Sequence, residues 1–198
     1  MIAIIIPTLD EAAAADVGRL ALVNAGTDAR LIVSAGPRRG FTKTVNDGLR
    51  QLEPGEDALL LNDDVSGFFF GWLATLERAL YRNDRTGIVG PSGKSNTTPS
   101  CHGRPGMVGR EKVVQVPFWC ALIRRACLDD VGLLDEAYIH YGSDNQYCAD
   151  ARRRGWRIVW CKDVYLEHRK HGSKGQRIGD WWKRDRAVLM RRKREQGW

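Results

Sequence analysis

Two short stretches limit the fold most. Residues 2–6 form an unbroken apolar run, and residues 57–61 read as a second strand, apolar from Ala58 to Leu61, that ends at Asn62-Asp63-Asp64. A strand exposed on one face alternates polar and apolar side chains. A run with no alternation belongs to a strand buried on both faces, which is the position of a parallel strand between two helical layers. Helical patterns lie between the apolar runs. Asp10 is placed to cap an alanine-rich helix reaching about Val23, residues 42–52 read as a helix, and residues 68–81 as another. Residues 30–34 and 87–90 read as further strands. Strands alternating with helices predict an α/β fold, a mostly parallel central sheet flanked by helices.

The second half of the chain is less regular. Residues 90–109 hold five glycines and three prolines and show no periodicity, which predicts a long loop of the kind that usually carries function. A strand over 113–117, a helix over 124–131, a helix over 144–154 and two short strands at 157–160 and 163–166 follow. The 198 residues suffice for one domain with a full core. No apolar run approaches the roughly 20 residues of a membrane span, so a cytoplasmic protein is expected. The five cysteines are odd in number and irregular in spacing, with no C-x-x-C, and are read as buried thiols.

Charge is unevenly distributed. From His168 to Trp198 there are eleven Lys/Arg against three Asp/Glu, while the remainder holds 20 basic and 21 acidic residues. The excess therefore lies in a basic helical tail, residues 174–198, appended to a domain of residues 1–173. Such a tail suits an anionic surface: nucleic acid, an acidic membrane or phosphates. A solvated face is the plainer alternative. Trp181, Trp182, Val188 and Leu189 share one helical side, which Asp185 and Arg192 interrupt.

The chemistry-bearing signal is Leu59-Leu60-Leu61-Asn62-Asp63-Asp64-Val65. In open parallel sheets ligands bind beyond the carboxyl ends of the strands. Two carboxylates and an amide at such an end suit Mg²⁺ or Mn²⁺ shared with substrate phosphates, although the same residues also favour a solvated turn. Asp144 falls in Ser143-Asp144-Asn145-Gln146, which reads as a capping box with Ser143 as N-cap. There the helix dipole favours an ionised carboxylate, ready to accept a proton or simply stabilising the helix start.

Taken together the motifs resemble family-two glycosyltransferases with a GT-A fold, particularly the rhamnosyltransferase-like branch. The first strand leads into Pro7-Thr8-Leu9-Asp10-Glu11. Gly40-Phe41, Asn46 and Gly48 match a Gly-Phe-x-x-x-x-Asn-x-Gly stretch. Leu60 to Val65 match the metal motif, and Val131-Gly132-Leu133-Leu134-Asp135-Glu136 match a later one. The resemblance covers about residues 2–173. It implies a metal-dependent inverting transfer of a hexosyl or pentosyl unit from a nucleotide-diphosphate sugar to an acceptor hydroxyl on a saccharide, a lipid-linked glycan or a hydroxylated base in DNA.

The resemblance also implies roles. Pro7, Thr8, Asp10, Asn62, Asp63 and Asp64 would bind the donor. Asp64 and His168 would hold Mn²⁺ or Mg²⁺, with His171 an alternative to His168, and Asp144 would be the general base. Trp119 is a candidate acceptor wall or core residue. Three departures stand out. No carboxylate follows the second strand, the segment from Gly36 to Gly40 with Arg38 and Arg39 is compressed, and Ser143 replaces a glutamate. A nucleotidyltransferase, or a nucleic-acid-binding module acting through the tail, are the competing readings.

Overall fold

The computed structural model describes residues 1–36, 39–93, 101–169 and 178–197, with Ile178 and Gly179 as backbone only. Arg38, His171 and residues 94–100 of the expected long loop lie outside the described residues. The elements run β1 (Ile2–Thr8), α1 (Glu11–Val23), β2 (Ala29–Ala35), α2 (Phe41–Leu49), β3 (Asp57–Leu61), β4 (Val65–Ser66), α3 (Trp72–Leu80), β5 (Thr86–Gly93), β6 (Arg110–Val113), β7 (Cys120–Ile123), α4 (Arg125–Val131), α5 (Ser143–Arg153), β8 (Arg157–His168) and α6 (Ile178–Gln196).

The strands form one sheet in the order β2-β1-β3-β7-β5-β8-β4, with β6 also paired to β8. The expected α/β architecture is present, but the sheet is mixed instead of mostly parallel. β1 pairs in parallel with β2 and β3, and β5 with β8. The pairs β3–β7, β5–β7, β6–β8 and β4–β8 are antiparallel. Two of the antiparallel pairs come from β7, a strand not expected from the sequence, whose four buried apolar residues slot between β3 and β5.

The unbroken apolar runs are explained by a core on each face of the sheet. Ile2, Ile4, Ile6, Leu59 and Leu61 pack with Ala14 and Ala21 of α1 and Trp72, Leu73 and Leu76 of α3. Ala3, Ile5, Ala58 and Leu60 point the other way, onto Val45 and Leu49 of α2, Cys127 and Leu128 of α4, and Tyr147, Cys148 and Ala151 of α5. Successive side chains alternate between the faces, so both parities must be apolar. All five cysteines are buried.

Several boundaries differ from the sequence reading for local reasons. Helix α3 begins at Trp72 instead of Phe68, because Gly71 adopts a left-handed conformation (φ 83°) and ends any helix extending back through Phe69 and Phe70. The two strands expected near 157–166 are one strand, β8. The gap between them coincides with a register shift, where Pro91 pairs with Cys161 and Ser92 with Tyr165. The strand expected at 113–117 lies earlier, at Arg110–Val113.

Candidate functional site

Strand register builds one end of the site. Ile5 pairs with Leu60 across the parallel β1–β3 ladder. Three residues further along each strand, Thr8 and Asp63 are therefore neighbours. The Thr8 hydroxyl donates to Asp63 Oδ2 at 2.5 Å and accepts the Asp10 N–H at 2.8 Å. Burial pushes the Asp63 carboxyl above the usual range. The Thr8 hydrogen bond opposes this, and the nearby Asp64 and Asp10 carboxylates add to it. Asp10 itself is exposed and caps α1, its Oδ1 accepting the Ala13 N–H at 3.1 Å. Pro7 is half-buried at the same strand end.

The antiparallel partners complete the cluster. Leu61 pairs with Cys120, so Trp119 lies beside Asn62, whose N–H donates to the Trp119 carbonyl at 2.8 Å. The short strand β4 zips onto the end of β8, with Val65 opposite His168, and the Arg169 N–H donates to the Asp64 carbonyl at 2.9 Å. These pairings bring His168 Nε2 to 3.1 Å from Asp64 Oδ1 and 3.3 Å from the Asn62 amide nitrogen. The Trp119 ring stacks on His168, with centroids 5.2 Å apart and planes 10° from parallel. The other side of the indole meets Gly93, where a Cβ would lie 2.7 Å from the ring. Trp119 is thus 5% exposed and braces His168, with little ring left open for an acceptor.

Among the described residues no three His, Cys, Asp or Glu side chains are grouped as a preformed metal cluster. Asp64 and His168 form a two-residue donor set of carboxylate oxygen and imidazole nitrogen. Two ligands at right angles on bonds of about 2.1 Å lie about 3 Å apart, which fits the 3.1 Å observed. An ion held by few protein ligands is of the kind that completes its shell with water and substrate phosphates. Asp63 is turned towards Thr8, so its part is in the floor beside the pair.

Asp144 approaches the same segment from the other face. It lies one residue into α5 and accepts N–H groups from Asn145, at 2.8 Å, and from Phe118, the residue before Trp119. The capping box is not formed. The N-cap is Gly142, in a left-handed conformation (φ 86°), and Ser143 is the first helical residue. Gln146 instead contacts Tyr138, Asp150 and Gln196. The expected dominance of the helix start is also reversed. Burial pushes the Asp144 carboxyl above its ordinary range, against the backbone N–H groups of Asn145, Phe118 and Asp144 itself. A partly enclosed carboxyl of raised basicity is suited to accept a proton near neutral pH.

Sequence reasoning missed the supports of Asp144. Asn46 Nδ2 donates to the Leu134 carbonyl at 2.9 Å, and its Oδ1 accepts the Leu134 N–H at 3.0 Å. The two motifs around Asn46 and Asp135 were legible separately, and the structure joins them. Asp185, read as an interruption of an apolar stripe, is fully buried and bonds to the loop before α5. Arg39 pairs with Asp47 at the surface.

Comparison with known proteins bears on the fold and on part of the sequence. Residues 103–189, under half of the chain, match the family described as "Glycosyltransferase like family 2". No curated protein matches the sequence significantly. Among solved structures, GalNAc-T7 with UDP, GalNAc and Mn²⁺ superposes with a TM-score of 0.61 at 13% identity, over 82% of this chain and 36% of that one. The mannosyltransferase PcManGT from Pyrobaculum calidifontis, in complex with GDP-Man and Mn²⁺, gives 0.61 at 17% identity, over 96% of this chain and 61% of that one. A197 from STIV gives 0.57 at 12% identity, covering 87% of each chain. The chain thus spans about a third to three-fifths of the first two structures it resembles. It has the GT-A fold of glycosyltransferases, and its part from Gly103 to Leu189 matches glycosyltransferase family 2.

Proposed function

We propose that the protein is a metal-dependent, inverting glycosyltransferase that moves a hexosyl or pentosyl unit from a nucleotide-diphosphate sugar to an acceptor hydroxyl. The observation that carries the reading is the Asp64–His168 pair, 3.1 Å apart at the mouth of β3 and braced by Trp119. Mn²⁺ bound by a neighbour of the same fold supports the choice of ion, and Mg²⁺ suits the same oxygen ligand. The rhamnosyltransferase-like motifs make that branch the first to test for the donor sugar.

Asp64 and His168 would hold the ion, which would supply positive charge to a departing nucleoside diphosphate. Thr8 fixes Asp63 beside them, and Pro7, Asp10 and Asn62 flank the same strand ends. Asp144 accepts the proton of the acceptor hydroxyl as its oxygen attacks the anomeric carbon. The new carbon–oxygen bond forms on the face opposite the breaking bond to phosphate, which inverts the configuration. The acceptor classes for this site are a saccharide, a lipid-linked glycan and a hydroxylated base in DNA. No helix among the described residues is long and apolar enough to cross a membrane.

Thermal melting with Mn²⁺ and UDP or GDP tests the site. With few protein ligands, Mn²⁺ alone raises Tm little, while Mn²⁺ with the correct nucleotide stabilises by about 2.7 kcal/mol at a hundred times Kd. Asp64→Ala and His168→Ala each abolish that rise. A rise that survives Asp64→Ala in full would end this reading.

A further inference from the structure

We propose that Asp185 is a positioning residue for catalysis: α6 clamps the loop that presents Asp144 to the acceptor. This rests on the proposed role of Asp144 as base. Asp185 is fully buried in the middle of a helix whose outer face is strongly basic. Its Oδ1 accepts the Ile139 N–H at 2.9 Å, and its Oδ2 accepts the His140 and Tyr141 N–H groups at 2.8 and 2.9 Å. Three successive amides thus converge on one carboxylate. Such a row forms an anion-binding concavity, and the chain fills it with its own side chain. The next residue is Gly142, the left-handed N-cap of α5, and Asp144 follows two residues later.

The loop is gripped from both sides. From α2, the Thr42 N–H donates to the Ile139 carbonyl at 3.2 Å, and Gly40 packs so tightly on Ile139 that a Cβ would lie 2.3 Å from its carbonyl oxygen. From α6, Trp181 lies against the His140 ring, with centroids 5.9 Å apart, and Leu189 reaches Gly142. Arg192 pairs with Asp135 at 2.9 Å, and Gln196 accepts from Gln146 and Arg153 at 2.9 and 2.8 Å. A helix needed only for packing has no use for a buried carboxylate, whose desolvation is costly unless its partners are well placed. The partners here are the backbone groups that set the direction of α5. Positioning of this kind acts on the chemical step, because a base displaced by about 1 Å costs up to about 100-fold in rate.

The test is Asp185→Asn, which keeps the shape of the side chain but turns an amide NH₂ towards the loop N–H groups. Three readings are taken on the full chain: hydrogen exchange of the 139–141 amides, the Tm rise with Mn²⁺ and UDP or GDP, and nucleoside diphosphate release from the donor selected by that rise. The expected result is faster exchange, an unchanged nucleotide-dependent Tm rise and unchanged donor KM, with kcat lowered about 10- to 100-fold. In an Asp144→Asn background the second substitution causes no further loss, since Asp185 acts through Asp144. Faster exchange with wild-type kcat, or a loss that multiplies that of Asp144→Asn, overturns the proposal. Full activity of Asp144→Asn alone would instead remove the base reading. If Asp185→Asn does not fold, Arg192→Gln loosens the same helix at Asp135 and carries the same readings, with wild-type kcat despite faster loop exchange again overturning the clamp.

Discussion

Asp144 shows how one residue can be costly to the fold and useful to the reaction. Its carboxyl is pushed up by burial, so the folded state resists ionising it. Below the ordinary carboxylate range both folded and unfolded chains carry the proton, and no penalty arises. As pH rises through the raised folded value, the folded state must hold a charge in poor solvent, and stability is lost. Asp144→Asn is therefore expected to melt above the wild type at pH 7–8 and to lose that advantage as pH falls below the usual carboxylate range. The same variant is expected to lose about 100-fold or more of transfer, the usual scale for a general base. Melting curves at several pH values, paired with initial rates, check both. A variant no more stable than wild type at neutral pH would contradict the desolvation argument. The sequence pointed to Asp144 but attributed its behaviour to a capping box. Spacing revealed Ser143 and Gln146 but not the left-handed Gly142 that takes the cap position, nor the Phe118 amide brought in from a distant segment.

At the scale of elements, legibility followed the range of the forces. Helix α1 was legible nearly to the residue because its start is local: Asp10 accepts the Ala13 N–H, and Ala14 donates to the Asp10 carbonyl. Asp10→Ala is expected to cost about 1 kcal/mol in urea unfolding, while Asp10→Ser keeps most of it. The pair also separates two roles. A nucleotide-dependent Tm rise lost in both variants, with stability lost only in the first, would show Asp10 serving the donor as well as the helix. Strand β3 was legible because burial on both faces leaves an apolar run from Ala58 to Leu61. Strand β7 was not placed as a strand from the sequence, and its pairing direction depends on partners 63 and 33 residues away from Leu122, at Leu59 and Val89 on either side. For α6 the pattern was legible and its meaning was not. Asp185 looked like a break in an apolar stripe, since a buried carboxylate makes sense only with the loop amides in view.

The whole molecule divides into a parallel side, β2-β1-β3 with α1 and α2, and a mixed side built on β7, β5, β8, β6 and β4. The first supplies Thr8, Asn62, Asp63 and Asp64, and the second supplies Trp119, Asp144 and His168. Their seam is the antiparallel β3–β7 pair, and Trp119 stands at its end. Its carbonyl takes the Asn62 N–H, its ring stacks on His168 of β8, and its edge fills the space left by Gly93 of β5. One side chain thus sets the spacing of three strands at the candidate metal pair. The buried indole N–H has no hydrogen-bond partner among the described residues, so the ring contributes through shape and stacking. Trp119→Ala is expected to cost about 3–5 kcal/mol in urea unfolding and to remove the Mn²⁺-nucleotide Tm rise, because His168 loses its brace. Trp119→Phe retains an aromatic face for His168 and sacrifices no hydrogen bond to the described residues. It is expected to cost less than the alanine change and to keep the nucleotide-dependent rise. A ring placed to receive the acceptor would behave differently: Trp119→Ala would then keep the Tm rise and raise only the acceptor KM. Measuring unfolding and the ligand-dependent shift on both variants decides between a brace across the seam and an acceptor wall beside it.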